Sequence, residues 1–385
     1  MYGSPAMRKL YAIQTAYMFA GSFSATFMFL YMVQAGFSYL DIILYKVMLY
    51  TFALITLFSV RSYKSMRHIG FGFIGAAAIL FILPFAKLSW HIALIGAVDG
   101  LTFPLFWIPY NTLYFSQRKG RESAFLAGIL FMIPPLLGVV VPVIGGLVYD
   151  SAGPAVVFYL GALMFAVCGI YYGWEKGGGI AVHVKKAFTV GKGLRTLVFV
   201  QGYWQGVDWL CVPLVSLYFL TSGTSFGGFF AWLSLVGALS TLYFCRLSDR
   251  SGNRVNYLYP SLVMTSAATV MSAFTSDVVN WFVVRAIVGF FVAVSNPFTT
   301  SIVLDRVKNT TDAMYVREVM LNFGRLAGVA SVVACEFLFG GFQNAFIPAG
   351  FILASYPLLV EWKSIYRVKV RVEALKSEEM MEFHD

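Results

Sequence analysis

The chain is poor in charge, in cysteine and in histidine. Only 12% of its 385 residues are Asp, Glu, Lys or Arg, about half the share of an average soluble domain, so it lacks the ionic surface that keeps a domain of this size in water. Its four cysteines, Cys168, Cys211, Cys245 and Cys335, are scattered and have neither disulfide-framework nor metal-site spacing. The four histidines, His68, His91, His183 and His384, are equally dispersed, and no nucleotide-binding loop or Ser-His-Asp arrangement accompanies them. An enzyme is therefore not expected, and neither is a cofactor or a metal.

What the chain has in quantity is apolar: hydrophobic residues make up 59% and aromatic residues 17%. Apolar runs of about 18 to 27 residues recur from end to end, each long enough to cross a hydrocarbon core of roughly 30 Å at about 1.5 Å per residue. They lie near 11–34, 41–60, 69–86, 91–115, 122–148, 155–174, 196–221, 226–246, 256–275, 279–303, 313–339 and 345–362. The expected fold class is thus an all-α integral membrane protein with twelve transmembrane helices. The first run is longer than a signal-peptide core and has no persuasive small-residue cleavage site, so it is expected to stay as a helix.

The net charge of +10 is explained by placement rather than by nucleic acid, and no nucleic-acid partner is expected. All but four of the 28 basic residues fall in alternate connections or at the two termini, the exceptions being Lys46, Lys87, Arg285 and Arg325. By the positive-inside rule both termini are cytoplasmic, and the alternation requires an even number of spans. The same basic residues would meet anionic lipids of a cell (inner) membrane.

Shifting the sequence against itself by 187 to 190 residues aligns Gln14 with Gln201, Tyr31 with Tyr218, Gly138 with Gly328 and Lys64 with Arg254. A weak internal repeat of this period predicts two six-helix halves, 1–174 and 196–362, joined by a cytoplasmic linker at 175–195 and followed by a cytoplasmic tail at 363–385. The tail alternates charges and reads equally as a surface helix or as disorder.

Intramembrane ionisable residues are the candidate site. Asp208 lies about 20 Å along its helix from Arg195, near the bilayer midplane, where an Asp costs roughly 2.5 to 3.5 kcal/mol. Gln201, Gln205 and Asp208 are spaced i, i+4, i+7 and share one face. This reads as a proton or substrate site; the plainer reading is a protonated Asp bonded to a neighbouring helix. Asp99 is the second such carboxylate, and a pairing with Arg285 and separate local partners are both open. Glu318, Asn322 and Arg325 repeat the i, i+4, i+7 spacing at the cytoplasmic end of the eleventh span and read as a gate or latch.

The run from Cys245 to Arg254 resembles the signature loop of the major facilitator superfamily, G-x-L-x-D-[RK]-x-G-[RK]-[RK]. Leu247, Asp249, Arg250, Gly252 and Arg254 fall on the pattern, while Cys245 and Asn253 depart from it. The resemblance implies that spans one, four, seven and ten line a central cavity and that spans two, five, eight and eleven form the interface between halves. On that frame Tyr203, Trp204, Trp107, Tyr110 and Tyr114 of spans four and seven would wall a pocket for an amphiphilic or cyclic solute. No Arg or Lys falls clearly in the inner half of the four cavity spans, which disfavours a multiply charged anion. It implies that Asp249 docks near Arg121 to Ala124 at the start of the fifth span, where a helix's positive end favours a carboxylate. Gly96 to Gly100, holding Asp99, resembles the family's span-four element R-x-x-[Q]-G, and Arg285 to Gly289 keeps its R-x-x-x-G spacing. Gly128, Pro142, Gly145 and Gly146 match four positions of an exporter-associated element in span five, which implies tight packing and a bend there.

The combined expectation is a secondary transporter that moves a small organic solute by alternating access, proton-coupled and outward, working as a monomer. An uptake symporter or uniporter and a non-transporting scaffold or lipid-handling protein are the alternatives.

Overall fold

Turn residues and caps cut the apolar runs into helices. The structure, a computed structural model, describes residues 4–117, 123–190, 192–251, 255–307 and 309–362, without the side chains at 123–125, 190, 242, 245–251 and 255–256. Helices α1 (Pro5–Phe23) and α2 (Met28–Gln34) flank a short 3-10 turn and form one crossing element. The hydroxyl of Ser4 accepts the N–H of Met7, and Pro5 occupies the first turn, where its missing donor is not needed. Helix α3 (Tyr39–Ser59) starts on a capping box in which Ser38 Oγ accepts from Asp41 N at 3.3 Å and the Asp41 carboxylate accepts from Ser38 N at 2.9 Å. Then come α4 (Ser65–Ile82), α5 (Ser89–Ser116), α6 (Ser123–Gly138), α7 (Val141–Ala152) and α8 (Pro154–Gly173). The fifth expected span is therefore two helices, and Pro142 sits in the first turn of α7 rather than bending a continuous rod.

A short helix α9 (Val184–Val190) precedes α10 (Arg195–Ser216), α11 (Gly223–Ser251), α12 (Val255–Ser272), α13 (Val278–Arg306), α14 (Thr310–Phe339) and α15 (Phe346–Trp362). Among the described residues ten elements are long and apolar enough to cross a membrane, and the chain is an integral multi-pass membrane protein. Helices α10 and α12 are not among the ten. Helix α10 carries Gln201, Gln205 and Asp208; in α12 the hydroxyls of Ser261, Thr265, Ser266, Thr269 and Ser272 each donate to the carbonyl four residues back. Such back-bonding satisfies hydroxyls without water, so a helix of low hydropathy is buried against its neighbours. Elsewhere helices outrun the apolar patterns: α1 begins at Pro5 rather than near 11 and α4 at Ser65 rather than near 69, because Arg8, Lys9, Arg67 and His68 extend the helices into the polar zone.

In the first part of the chain α4 packs on α5 and α8, α3 on α5, and α1 on α6 and α8. In the second, α10 packs on α14 and α15, α12 on α13 and α15, and α11 on α13. The two groups meet where α14 touches α3 and α5, where α6 touches α11 and α13, and where α7 touches α11. Phe71, Phe81, Leu163, Val167, Phe337 and Leu358 remain exposed, as lipid-facing side chains do.

The segment 175–195 is more than the plain connection expected. Strand β1 (Ser62–Lys64) pairs antiparallel with β2 (Gly179–Ala181), Tyr63 opposite Ile180. The ladder is extended by Val182 N donating to Arg61 O at 2.9 Å and Ser65 N donating to Gly178 O at 3.0 Å. Tyr63 is fully buried there with Val182, Ala187, Tyr315 and Val316. The connection is thereby fastened to the α3–α4 loop and to the start of α14.

Candidate functional site

The polar residues of α10 are placed by a glycine seam. Gly202 and Gly206 face Gly324 and Gly328 of α14, and a Cβ at any of the four would overlap backbone of the other helix: Leu321 O for Gly202, Arg325 O for Gly206, Phe199 O for Gly324 and Tyr203 O for Gly328. Small residues let backbones approach to this distance. The i, i+4 glycine pairs in both helices are visible in the sequence, and they are the signal by which this packing can be found.

Across the seam Gln205 Oε1 accepts two bonds from Arg325, from Nη2 at 2.9 Å and Nε at 3.1 Å. Arg325 Nη1 lies 3.6 Å from Glu318 Oε2, and Glu318 Oε1 also pairs with Arg317 at 3.3 Å. All four side chains are buried, so each charge needs its partner. Asn322 lies on the same face but donates to Glu318 O of its own helix at 2.8 Å. The expected gate cluster thus ties α14 mainly to α10, while the Arg325 guanidinium stacks 4.6 Å from the Trp209 ring centroid and reaches to 5.9 Å from that of Phe103 on α5.

Asp208 pairs with Arg285 of α13 at 2.6 Å, and Arg285 donates to Ser272 Oγ at 3.4 Å and lies over the rings of Trp281 and Phe346. The alternative of separate local partners holds for Asp99: it accepts from the Tyr45 hydroxyl of α3, and no Asp99–Arg285 pair forms. The shared face of α10 splits three ways, since Gln201 Nε2 donates to Asn296 of α13 at 3.3 Å.

Asp99 faces a cavity of about 330 Å³ between the two groups of helices, at the small end of ligand pockets, which span roughly 300–1,000 Å³. Its polar and aromatic lining includes Tyr17 of α1, Tyr45, Lys46 and Tyr50 of α3, Asp99 and Phe103 of α5, Phe165 of α8, Trp209 of α10 and Phe230 of α11. Asp208 does not line it. Contacts between the two groups lie toward both faces. On the face carrying the basic loops, the Tyr315 hydroxyl donates to Leu57 O at 2.9 Å. On the opposite face, the Asp150 carboxylate accepts the N–H groups of Gly223 and Thr224 at 2.7 Å each and the Thr224 hydroxyl at 2.6 Å, capping α11 from the end of α7.

Several expectations need correction. None of the five proposed cavity aromatics lines the cavity. Tyr110 donates to Gln14 at 3.1 Å and Tyr114 to Leu126 O at 2.9 Å, both fully buried. Trp204 donates to Thr269 at 3.0 Å, Tyr203 is buried beside Gly328, and Trp107 packs edge-on against Tyr17. Tyr110, Tyr114 and Trp204 spend their donors on neighbouring helices, whereas the buried Trp107 N–H has no partner among the described residues. The cavity also holds a basic residue, Lys46, from a helix outside the four scanned for one; an ionisable residue well inside an apolar run was the signal. In the fifth span Gly145 packs against Phe23 O and Gly146 against Gly223, but nothing lies within 4 Å of a Cβ at Gly128. Of the signature loop, Gly252 and Arg254 lie outside the described residues, as do the side chains of Asp249 and Arg250 and the proposed docking partner near Arg121.

No family model matches the chain. It is 21% identical over 344 residues to YqgE, an uncharacterized protein of Bacillus subtilis strain 168, across 80% of this chain and 77% of that protein. Among solved structures, the human organic anion transporter MFSD10 (TETRAN) superposes with a TM-score of 0.67 at 12% identity, covering 93% of this chain and all of that one. FucP, a transporter of the major facilitator superfamily in its outward conformation, superposes with a TM-score of 0.64 at 10% identity, covering 92% and 98%.

Proposed function

We propose that this chain, whose fold is that of the major facilitator superfamily, is a membrane transporter rather than an enzyme and carries a small organic solute through its central cavity by alternating access. The observation that carries the reading is a ligand-sized cavity lined from both groups of helices, with contacts between the groups toward each face that a rocking motion would break one at a time. In this reading 1–174 and 196–362 are two six-helix halves, with α10 and α12 completing the twelve. Segment 175–195 is the cytoplasmic linker and 363–385 a cytoplasmic tail. The basic loops put both termini in the cytoplasm of a cell whose inner membrane holds the protein as a monomer.

Coupling to protons is placed on Asp99, the carboxylate that faces the cavity, rather than on Asp208, which is held by Arg285. The glycines and proline of α7 support export. Lys46 and Asp99 in one cavity support a second reading, movement of proton and solute in the same direction, because a proton on Asp99 leaves Lys46 as the cavity's net charge. The test is proteoliposomes with an internal pH dye, exposed to a panel of aromatic solutes of each charge type. Solute entry with acidification marks symport, entry with alkalinisation marks exchange, and Asp99→Asn is expected to uncouple the pH change from solute entry. Absence of protein-dependent flux across the panel would contradict the transporter reading.

A further inference from the structure

We propose that the cavity beside Lys46 binds an organic monocarboxylate with an aromatic or otherwise apolar body. The assignment rests on the transporter reading in that it names the solute class, while the binding it predicts is measurable without transport.

Lys46 lies seven residues into α3, about 10 Å along the helix. Its ammonium sits 5.3 Å from the Phe29 ring centroid and 5.5 Å from that of Tyr45. Among the described residues it makes no ion pair and no hydrogen bond. Lys46 is half-buried, and an ammonium inside a membrane span with its donors unspent is costly unless something supplies acceptors. Tyr50 makes the same demand independently. One turn along α3 it lines the same cavity, is 2% exposed, and its hydroxyl is buried without a partner.

Asp99 accepts from Tyr45 and makes no hydrogen bond to either group. The two unspent groups on α3 are both donors, and they stand i, i+4 on one helix face, the spacing at which side chains are neighbours. A carboxylate, with two acceptor oxygens and one negative charge, fits both. A ligand cation meets Lys46 as a like charge, while an anion is opposed only by Asp99 and not once that carboxyl carries its coupling proton. The remaining walls, Phe103, Phe165, Phe230 and Trp209, suit a ring, and Arg325 stacked behind Trp209 adds positive potential from outside the cavity.

The experiment uses the full chain in detergent, titrated with benzoate, phenylacetate and naphthoate against neutral benzamide and cationic benzylamine, read by tryptophan fluorescence and thermal shift. The carboxylates are expected to bind, with amide and amine roughly tenfold or more weaker. Lys46→Gln should weaken the carboxylates roughly tenfold or more, Lys46→Arg should retain them, and Asp99→Asn, which removes the opposing charge, should tighten them. Melting and size-exclusion profiles establish that each variant is folded. If Lys46→Gln does not fold, Tyr50→Phe carries the test, with loss of a single oxygen expected to weaken binding severalfold. No carboxylate binding across the panel, preference for the amine, or unchanged affinity in the folded variant overturns the assignment. Carboxylate binding without flux in vesicles would sustain the site and remove the transporter reading; flux restricted to neutral or cationic solutes would do the reverse.

Discussion

Arg285→Met is expected to destabilise the protein by about 3–5 kcal/mol, because it leaves Asp208 buried without its partner. The pair is 2.6 Å apart with side chains 4% and 13% exposed, so water cannot replace the lost guanidinium. Asp208→Leu alone strands Arg285 in the same way, among Trp281, Phe346 and Ser272. The double variant Asp208→Leu with Arg285→Met removes both charges together and should recover most of the loss, since apolar replacement of a whole buried pair is often close to neutral. Thermal unfolding of the four proteins in one detergent measures the cycle. Losses that simply add would mean that the two residues do not depend on one another, and the site's electrostatic account would need revision.

Gly206→Ala should cost about 1–3 kcal/mol by overpacking, although alanine is the better helix former. Its Cβ would overlap the Arg325 carbonyl oxygen, and pushing α14 away also pulls Arg325 from Gln205. Gly128→Ala is the matched control. No heavy atom lies within 4 Å of a Cβ there, so the same substitution should be neutral or stabilising by up to about 1 kcal/mol. Melting temperatures of the two variants separate the seam from general effects of glycine replacement; equal shifts would contradict the close approach of α10 and α14.

Helix existence was legible in the sequence because a membrane-crossing run has a plain physical requirement, length and apolarity. Helices α10 and α12 were legible as the apolar runs 196–221 and 256–275, with the alternation of basic loops asking for an even count, although their polar residues leave them out of the ten elements apolar enough to cross. Asp208, Asp99, Glu318 and Arg325 stood out by the cost of burying charge, which sequence displays directly. Their partners did not, because pairing depends on rotation about each helix: Arg285 meets Asp208 and not Asp99, and Gln205 meets Arg325. The cavity wall was misplaced for the same reason. Tyr110 and Tyr114 sit on the right helix but turn into its packing, whereas Tyr17, Tyr45, Tyr50 and Lys46 come from neighbouring helices and face the cavity.

The central claim is that one cavity is reached from both sides of the membrane by breaking one set of contacts at a time. Its most direct test is the reactivity of Ala25→Cys, a small, exposed position in the cavity wall, in a chain whose four native cysteines are replaced by serine. Sealed vesicles of both orientations are treated with a membrane-impermeant maleimide. The account predicts labelling from either side, with Asp150→Ala speeding labelling from the face opposite the basic loops and Tyr315→Phe speeding it from the basic face. Labelling from one side only, unmoved by either substitution, would contradict it.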